Sequence, residues 1–267
     1  MKSQFISGCL IGLFLLLACM PVAGESAEQL NGDALIAEGK YAEAIVAYEE
    51  ELSTTGDSAS VYNNLATAYY QTGDVEKAIE YLKLATEVSP DNGMPWLNLG
   101  MLYEAVGDVD AAKTAYTNAG NASEPIVAAN GHLGYAFLCL AQDDASGALA
   151  AFESALAAID GVEGAEYQEM RTQIYDEIGY IYAIGGDNEA AFDAFAAATG
   201  TGTVSPIPWM YLASFLEDAG LKVNDQALLT RALLTYQEAI NRDTEGITRA
   251  QEAYDSLSEL ISASAEA

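Results

Sequence analysis

The chain has 267 residues, 51% of them apolar in type, and its 40 acids against 10 bases give a formal net charge of −30. Such a length supports one large domain or one continuous array of small units. The charge argues against electrostatic binding to nucleic acid or to an anionic lipid surface, because both would be repelled. The acids are scattered and form no single run, which describes a solvated acidic exterior compatible with a basic partner. Only six prolines, with abundant Ala, Leu, Tyr and Glu, favour helices.

In chain order, Lys2 is followed by an apolar stretch from Phe5 to Ala18, broken by Ser7, Gly8, Cys9 and Gly12. It is short for a membrane span, and its length and flanks predict an export segment over residues 1–24. Its end, Leu16-Leu17-Ala18-Cys19, resembles the lipobox of prokaryotic lipoproteins. That resemblance implies cleavage before Cys19, lipidation of its thiol, and a protein anchored at the cell envelope. Two other readings stay open. Cleavage after Gly24, with Val22 and Gly24 as the small residues, yields a secreted protein, and no cleavage yields a retained anchor. A chain this acidic needs the lipid or the anchor, and not surface charge, to stay at a membrane. Cys139 alone remains in the body, so neither an internal disulfide nor a zinc set is available.

A repeat runs through the body. Trp96, Leu99, Gly100 and Tyr103 are followed by Ala112, Tyr116 and Ala119. Sliding back by 34 residues, from Trp96 to Tyr62, finds Tyr62, Leu65, Ala66 and Tyr69, then Ala78, Leu82 and Ala85, with Pro90 closing the unit. Gly73-Asp74 and Gly107-Asp108 stand between the two halves, where a left-handed Gly ends one helix and Asp caps the next. This spacing resembles the tetratricopeptide repeat. The resemblance implies an all-α solenoid, or superhelix, of about six helical hairpins, none able to bury its apolar stripe alone. The units are about 25–58, 59–92, 93–126, 127–160, 172–205 and 206–246. The first carries Gly32, Leu35, Gly39, Ala44 and Tyr48, but has Glu28 where the family has an aromatic. The fourth carries Leu133, Gly134, Phe137, Ala148 and Phe152, with about two extra residues in its turn, Gln142 to Gly147. The fifth carries Tyr175, Ile178, Gly179, Gly186-Asp187, Ala191 and Phe195, and the sixth Trp209, Leu212, Ala213, Ala232 and Tyr236, with about seven residues inserted near Lys222 to Leu228. Residues 161–171 form a loop or lengthen the next helix, and 199–208 form a longer loop. An amphipathic helix from Thr244 to Ser262 is expected to cap the array within residues 247–267, with a frayed tail from 263.

Catalytic constellations are lacking. The single histidine, His132, has no second histidine for a metal site and no evident nucleophile and acid for a triad. It reads as a helical, half-buried side chain, and Cys139 as a packing residue. Acidic clusters such as Glu49-Glu50-Glu51 and Asp143-Asp144 do not follow a calcium loop. No cofactor, metal or enzymatic activity is expected. Asn121-Ala122-Ser123 is a glycosylation sequon in a predicted turn.

The resemblance further implies a concave groove lined by first helices, which takes extended peptides or helices of other proteins. In that frame unit two presents Asn63, Thr67, Tyr70 and Gln71, and unit three Leu97, Met101 and Glu104. Unit four presents Gly131, Tyr135 and Leu138, and unit five Asp176 and Tyr180. Amides such as Asn63 suit a peptide backbone, and the tyrosines and Met101 suit side chains. The basic residues with which one subclass of the family grips acidic chaperone tails are missing here, so a neutral or basic partner segment is expected. The function expected is a non-catalytic interaction scaffold. The alternatives are an accessory subunit of an envelope enzyme or assembly complex, and a self-associating structural protein.

Overall fold

A computed structural model describes residues 29–203, 205–244, 246 and 249–266. The export segment, Cys19, Gly24, Glu28 and the first residues of the expected cap lie outside them. Among the described residues there are thirteen α-helices and no strand. The chain divides into two compact units after Asp144. The first holds α1 (Gln29–Ala37), α2 (Tyr41–Thr55), α3 (Ala59–Thr72), α4 (Val75–Val88), α5 (Gly93–Val106), α6 (Val109–Gly120) and α7 (Pro125–Ala141). The second holds α8 (Ala145–Ala158), α9 (Ala165–Gly185), α10 (Asn188–Gly200), α11 (Ile207–Val223), α12 (Gln226–Arg242) and α13 (Ala250–Glu266). The division falls inside the fourth expected repeat, giving α7 to the first unit and α8 to the second.

The turns show why the helices pair. Gly73, Gly107 and Gly186 end α3, α5 and α9 with φ of 89°, 80° and 81°. At each, the next residue is an aspartate whose carboxylate accepts a backbone N–H of the following helix: Asp74 from Lys77, Asp108 from Ala111, Asp187 from Ala190. The anion sits at the positive end of the helix dipole while it caps. In the last hairpin Asn224, at φ 51°, takes the glycine's place and Asp225 caps α12 through Ala227 and Leu228.

In the first unit, packing centres on rings set into notches. Tyr116 of α6 is fully buried. A Cβ on Gly100 of α5 would lie 2.5 Å from its ring, and one on Gly134 of α7 would lie 2.4 Å from it. The missing side chains are therefore what lets two first helices close on one ring. The ring's hydroxyl leaves the core and donates to Glu104 at 2.8 Å. Tyr48 sits likewise against Gly32, and its hydroxyl donates to Asp33, which also accepts from Asn64 at 3.0 Å. In the second unit Phe195 faces Gly179 at the same repeat position, and Tyr236 of α12 donates to Glu217 of α11 at 2.7 Å.

Where the repeat spacing slips, the helices absorb the difference. The residues near 222–228 form no loop: α11 and α12 have 17 residues each, against 14 each in α3 and α4. Residues 165–171 belong to α9, whose 21 residues make it the longest helix described. Arg171 ties the short loop before it, donating to the carbonyls of Ile159 and Val162 at 2.6 Å. The turn expected over Gln142 to Gly147 is shorter, because α8 starts at Ala145. The connection expected over 199–208 is shorter, because Thr199 and Gly200 close α10 and Ile207 and Pro208 open α11. The last helix continues to Glu266, past Ser262 where the apolar pattern ends.

The notch geometry makes Gly100→Leu an overpacking change. It should lower the stability of the first unit by about 1–3 kcal/mol, read by urea denaturation followed through circular dichroism, while Gly107→Ala, which has open space but a left-handed backbone, should cost less than the notch change.

Candidate partner-binding surface

The first helices of the first unit carry no lysine or arginine: α3, α5 and α7 hold Glu104 as their one charged acid. The lysines of this region, Lys77, Lys83 and Lys113, lie on α4 and α6. Lys77 and Lys83 stand over the rings of Tyr69 and Tyr103, at 4.6 and 5.9 Å from the centroids. The bases are thus spent on the second helices, and the first helices form a nearly neutral, aromatic and amide-bearing face.

Not every residue expected on that face is accessible. Asn63 is 2% exposed, Leu97 2% and Leu138 3%. Leu97 and Leu138 pack with Tyr116, because the notch draws α5 and α7 together and closes over their flanks. Asn63 is held by a buried bond, accepting from Asn98 Nδ2 at 2.8 Å, so its amide joins α3 to α5. These three are interior residues and cannot meet a partner without repacking. Gly131 is buried as well, because α7 packs directly on the backbone of Ala119 and Gly120 there. The other residues expected from the first unit remain at the surface. Thr67 is half-buried and donates to the Asn63 carbonyl at 3.1 Å. Tyr70 is half-buried against the core. Met101 and Tyr135 are half-buried beside Tyr116, and Gln71 and Glu104 are exposed. Glu104 is already the acceptor of the Tyr116 hydroxyl, which orients it.

In the second unit Tyr180 is 43% exposed on α9. Asp176, one helical turn before it, is half-buried, and its Oδ1 is buried without a hydrogen-bond partner. Burial, reinforced by the charges of Glu177 and Glu169, pushes its carboxyl up to about 8. Burial also raises Glu177. Repeat register placed Asp176 on the face, but its desolvation was not legible in the sequence, since that arises from packing.

His132 is half-buried beside Gly120, and burial lowers its pKa. Cys139 is buried, and its thiol is raised by burial and by Asp144, the opposite of an activated nucleophile. Among the described residues no three His, Cys, Asp or Glu side chains are grouped as a metal would require. The same residues include no helix long and apolar enough to cross a membrane.

Two tetratricopeptide-repeat family models match, over residues 35–93 and 95–119. Residues 35–93 and 95–119 thus carry tetratricopeptide repeats. Similar curated relatives of the chain include a heat-shock-cognate co-chaperone of Aspergillus fumigatus, 36% identical over 86 residues, 32% of this chain and 25% of that protein. A photosystem I assembly protein of Synechococcus is 35% identical over 75 residues, covering 27% of this chain and 43% of that one. The corresponding protein of Cyanophora paradoxa is 30% identical over 101 residues, 35% of this chain and 58% of that one. The chain thus spans between a quarter and somewhat over half of the length of these relatives. In fold it is similar to the C-terminal part of a tetratricopeptide protein from Cytophaga hutchinsonii, with a TM-score of 0.62 at 16% identity over 82% of this chain and 80% of that one. It is also similar to pilF of Pseudomonas aeruginosa, with a TM-score of 0.57 at 12% identity, covering 86% and 96%. Tetratricopeptide proteins mediate protein–protein interaction, and those similar to this chain are generally adaptors and scaffolds.

Asp176 gives a signed pH dependence. Its pKa is raised on folding, so its share of stability is complete below the ordinary aspartate range and is lost as pH climbs toward and through about 8. Asp176→Asn should flatten the pH dependence of the second unit's stability between pH 5 and pH 9, leaving it on the order of 1–3 kcal/mol more stable than the parent at the alkaline end, read by thermal melting across that range. An unchanged profile would mean that water reaches the carboxylate.

Proposed function

We propose that the chain is a non-catalytic scaffold that holds a segment of another protein against the first helices of its N-terminal unit. The observation that carries this reading is the half-buried set Thr67, Tyr70, Met101 and Tyr135 beside exposed Gln71 and Glu104. Met101 and Tyr135 flank the Tyr116 notch and Tyr70 rests on the neighbouring core, yet all keep surface to offer, and aromatic and Met side chains are the usual anchors of protein contacts. With no base on α3, α5 or α7, the face has no counter-charge for an acidic tail. A neutral or basic segment fits it, and the net charge of −30 would speed the approach of a basic one. The curated relatives named for co-chaperone and photosystem-assembly roles favour assembly of other proteins as the setting. We place the chain outside the cytoplasmic membrane, held at the envelope by a lipid on Cys19, on the strength of its leader sequence.

Tyr70→Ala and Tyr135→Ala together should weaken capture of partners from solubilised envelope by about tenfold or more, with the helical circular-dichroism signal kept. Capture of the same partners at undiminished yield would move the binding face elsewhere. Separately, Cys19→Ser should shift the protein from the membrane pellet to the soluble fraction, and continued sedimentation would rule out the acyl anchor.

A further inference from the structure

Asn121-Ala122-Ser123 makes the turn that joins α6 to α7, and the partner-binding face makes no use of it. The turn is held through its backbone. The N–H groups of Asn121 and Ala122 donate to the carbonyls of Asn118 and Ala119 at 3.2 and 3.1 Å. Ala122 is half-buried, and its methyl group rests on the bare backbone of Gly93 at the start of α5, where an added Cβ would lie 2.4 Å from it. The middle residue of the triplet is therefore the anchor, and Asn121 and Ser123 on either side of it are exposed.

The two exposed side chains are idle. Among the described residues neither the Asn121 carboxamide nor the Ser123 hydroxyl has a hydrogen-bond partner. Other asparagines are committed: Asn64, Asn98, Asn130 and Asn241 use the side chain in hydrogen bonds, and Asn92 caps α5 through the Met94 N–H. Modifying one of those would break a bond, whereas modifying Asn121 breaks none. A saccharide is bulky and hydrated, so it is tolerated only at such an open place. The triplet also has the required chemistry, an amide with a hydroxyl two residues on and no proline between them.

From these observations we infer that Asn121 is an N-glycosylation site, whose amide nitrogen takes a saccharide from a lipid-linked donor. The inference rests on the export of the chain proposed above, because the donor is met on the far side of the membrane. In the transfer a bond forms between Asn121 Nδ2 and the anomeric carbon. The anomeric C–O bond to the lipid phosphate breaks, its electron pair leaves with the phosphate, and the amide gives up one proton. The saccharide stands at the N-terminal end of α5, about 12 Å along that helix from Met101, and so leaves the partner-binding face free.

The test is mass spectrometry of the protein purified from its own cells, with envelope and cytoplasmic fractions kept apart. Chymotryptic peptide 117–135 carries Asn121 with Asn118 and Asn130, which have no hydroxyl two residues on and serve as internal controls. A saccharide mass on this peptide, placed on Asn121 by fragmentation, lost in Ser123→Ala and kept in Ser123→Thr, supports the site. Ser123→Ala should leave the melting temperature of the unglycosylated protein unchanged, which separates loss of the acceptor from loss of fold. A bare Asn121 in protein recovered from the envelope overturns the site alone. A bare Asn121 in protein that keeps residues 1–24 and stays in the cytoplasm overturns the site and the export reading together. A saccharide that persists on the peptide in Ser123→Ala also overturns the inference.

Discussion

The packing of the N-terminal unit depends on how a tyrosine ring enters a space that a side chain would have filled. Tyr116 needs the bare backbone of Gly100 on one side and of Gly134 on the other, and its hydroxyl needs an acceptor once the ring is buried. Burying such a ring supplies much of the apolar area of a hairpin, and the hydrogen bond at its tip prevents a polar atom from being stranded. Helix spacing in that unit follows from the fit. So does the accessibility of the neighbouring residues, because closing α5 and α7 on the ring is what submerges Leu97 and Leu138 while leaving Met101 and Tyr135 at the edge.

The abundance of acids has a structural use beyond solvation. Asp74, Asp108, Asp187 and Asp225 cap helices, and Asp33, Asp57, Glu49, Glu104 and Glu217 accept tyrosine hydroxyls. In each case the carboxylate meets an N–H or O–H donor at the rim of the core, where its charge stays hydrated. The tyrosines pay for this arrangement in acidity: Tyr62 is pushed up to about 12, chiefly by its bond to Asp57. Asp176 is the contrast, a carboxylate drawn inward with one oxygen unanswered and two acidic neighbours.

The helical fold and the turn chemistry were legible in the sequence because they rest on local signals. Gly-Asp pairs mark chain reversals, and small residues recur opposite aromatics at fixed distances. The face was only partly legible. Register places Asn63, Leu97 and Leu138 on the same strip as Thr67, Tyr70 and Met101, but depth is decided by how far neighbouring helices close, and a single sequence does not carry that distance. Trp209 shows the same limit. Its repeat position equals that of Trp96, and only the path of the preceding loop distinguishes a satisfied indole from an orphaned one. The length irregularities were visible as numbers of residues but not as structure, since extra residues near 165–171 and 222–228 extend helices that a fixed spacing would have broken.

That last behaviour bears on how such a chain can evolve. An added segment wound into the end of a helix leaves every existing buried neighbour in place, so no compensating change is demanded of the interior. Hairpin length is then nearly free to drift under selection for what its tips or loops touch, while the ring-and-notch positions stay fixed. A repeat of this kind can outgrow its ancestral period, and with it the resemblance by which its kinship is noticed, without ever passing through an unfolded intermediate form.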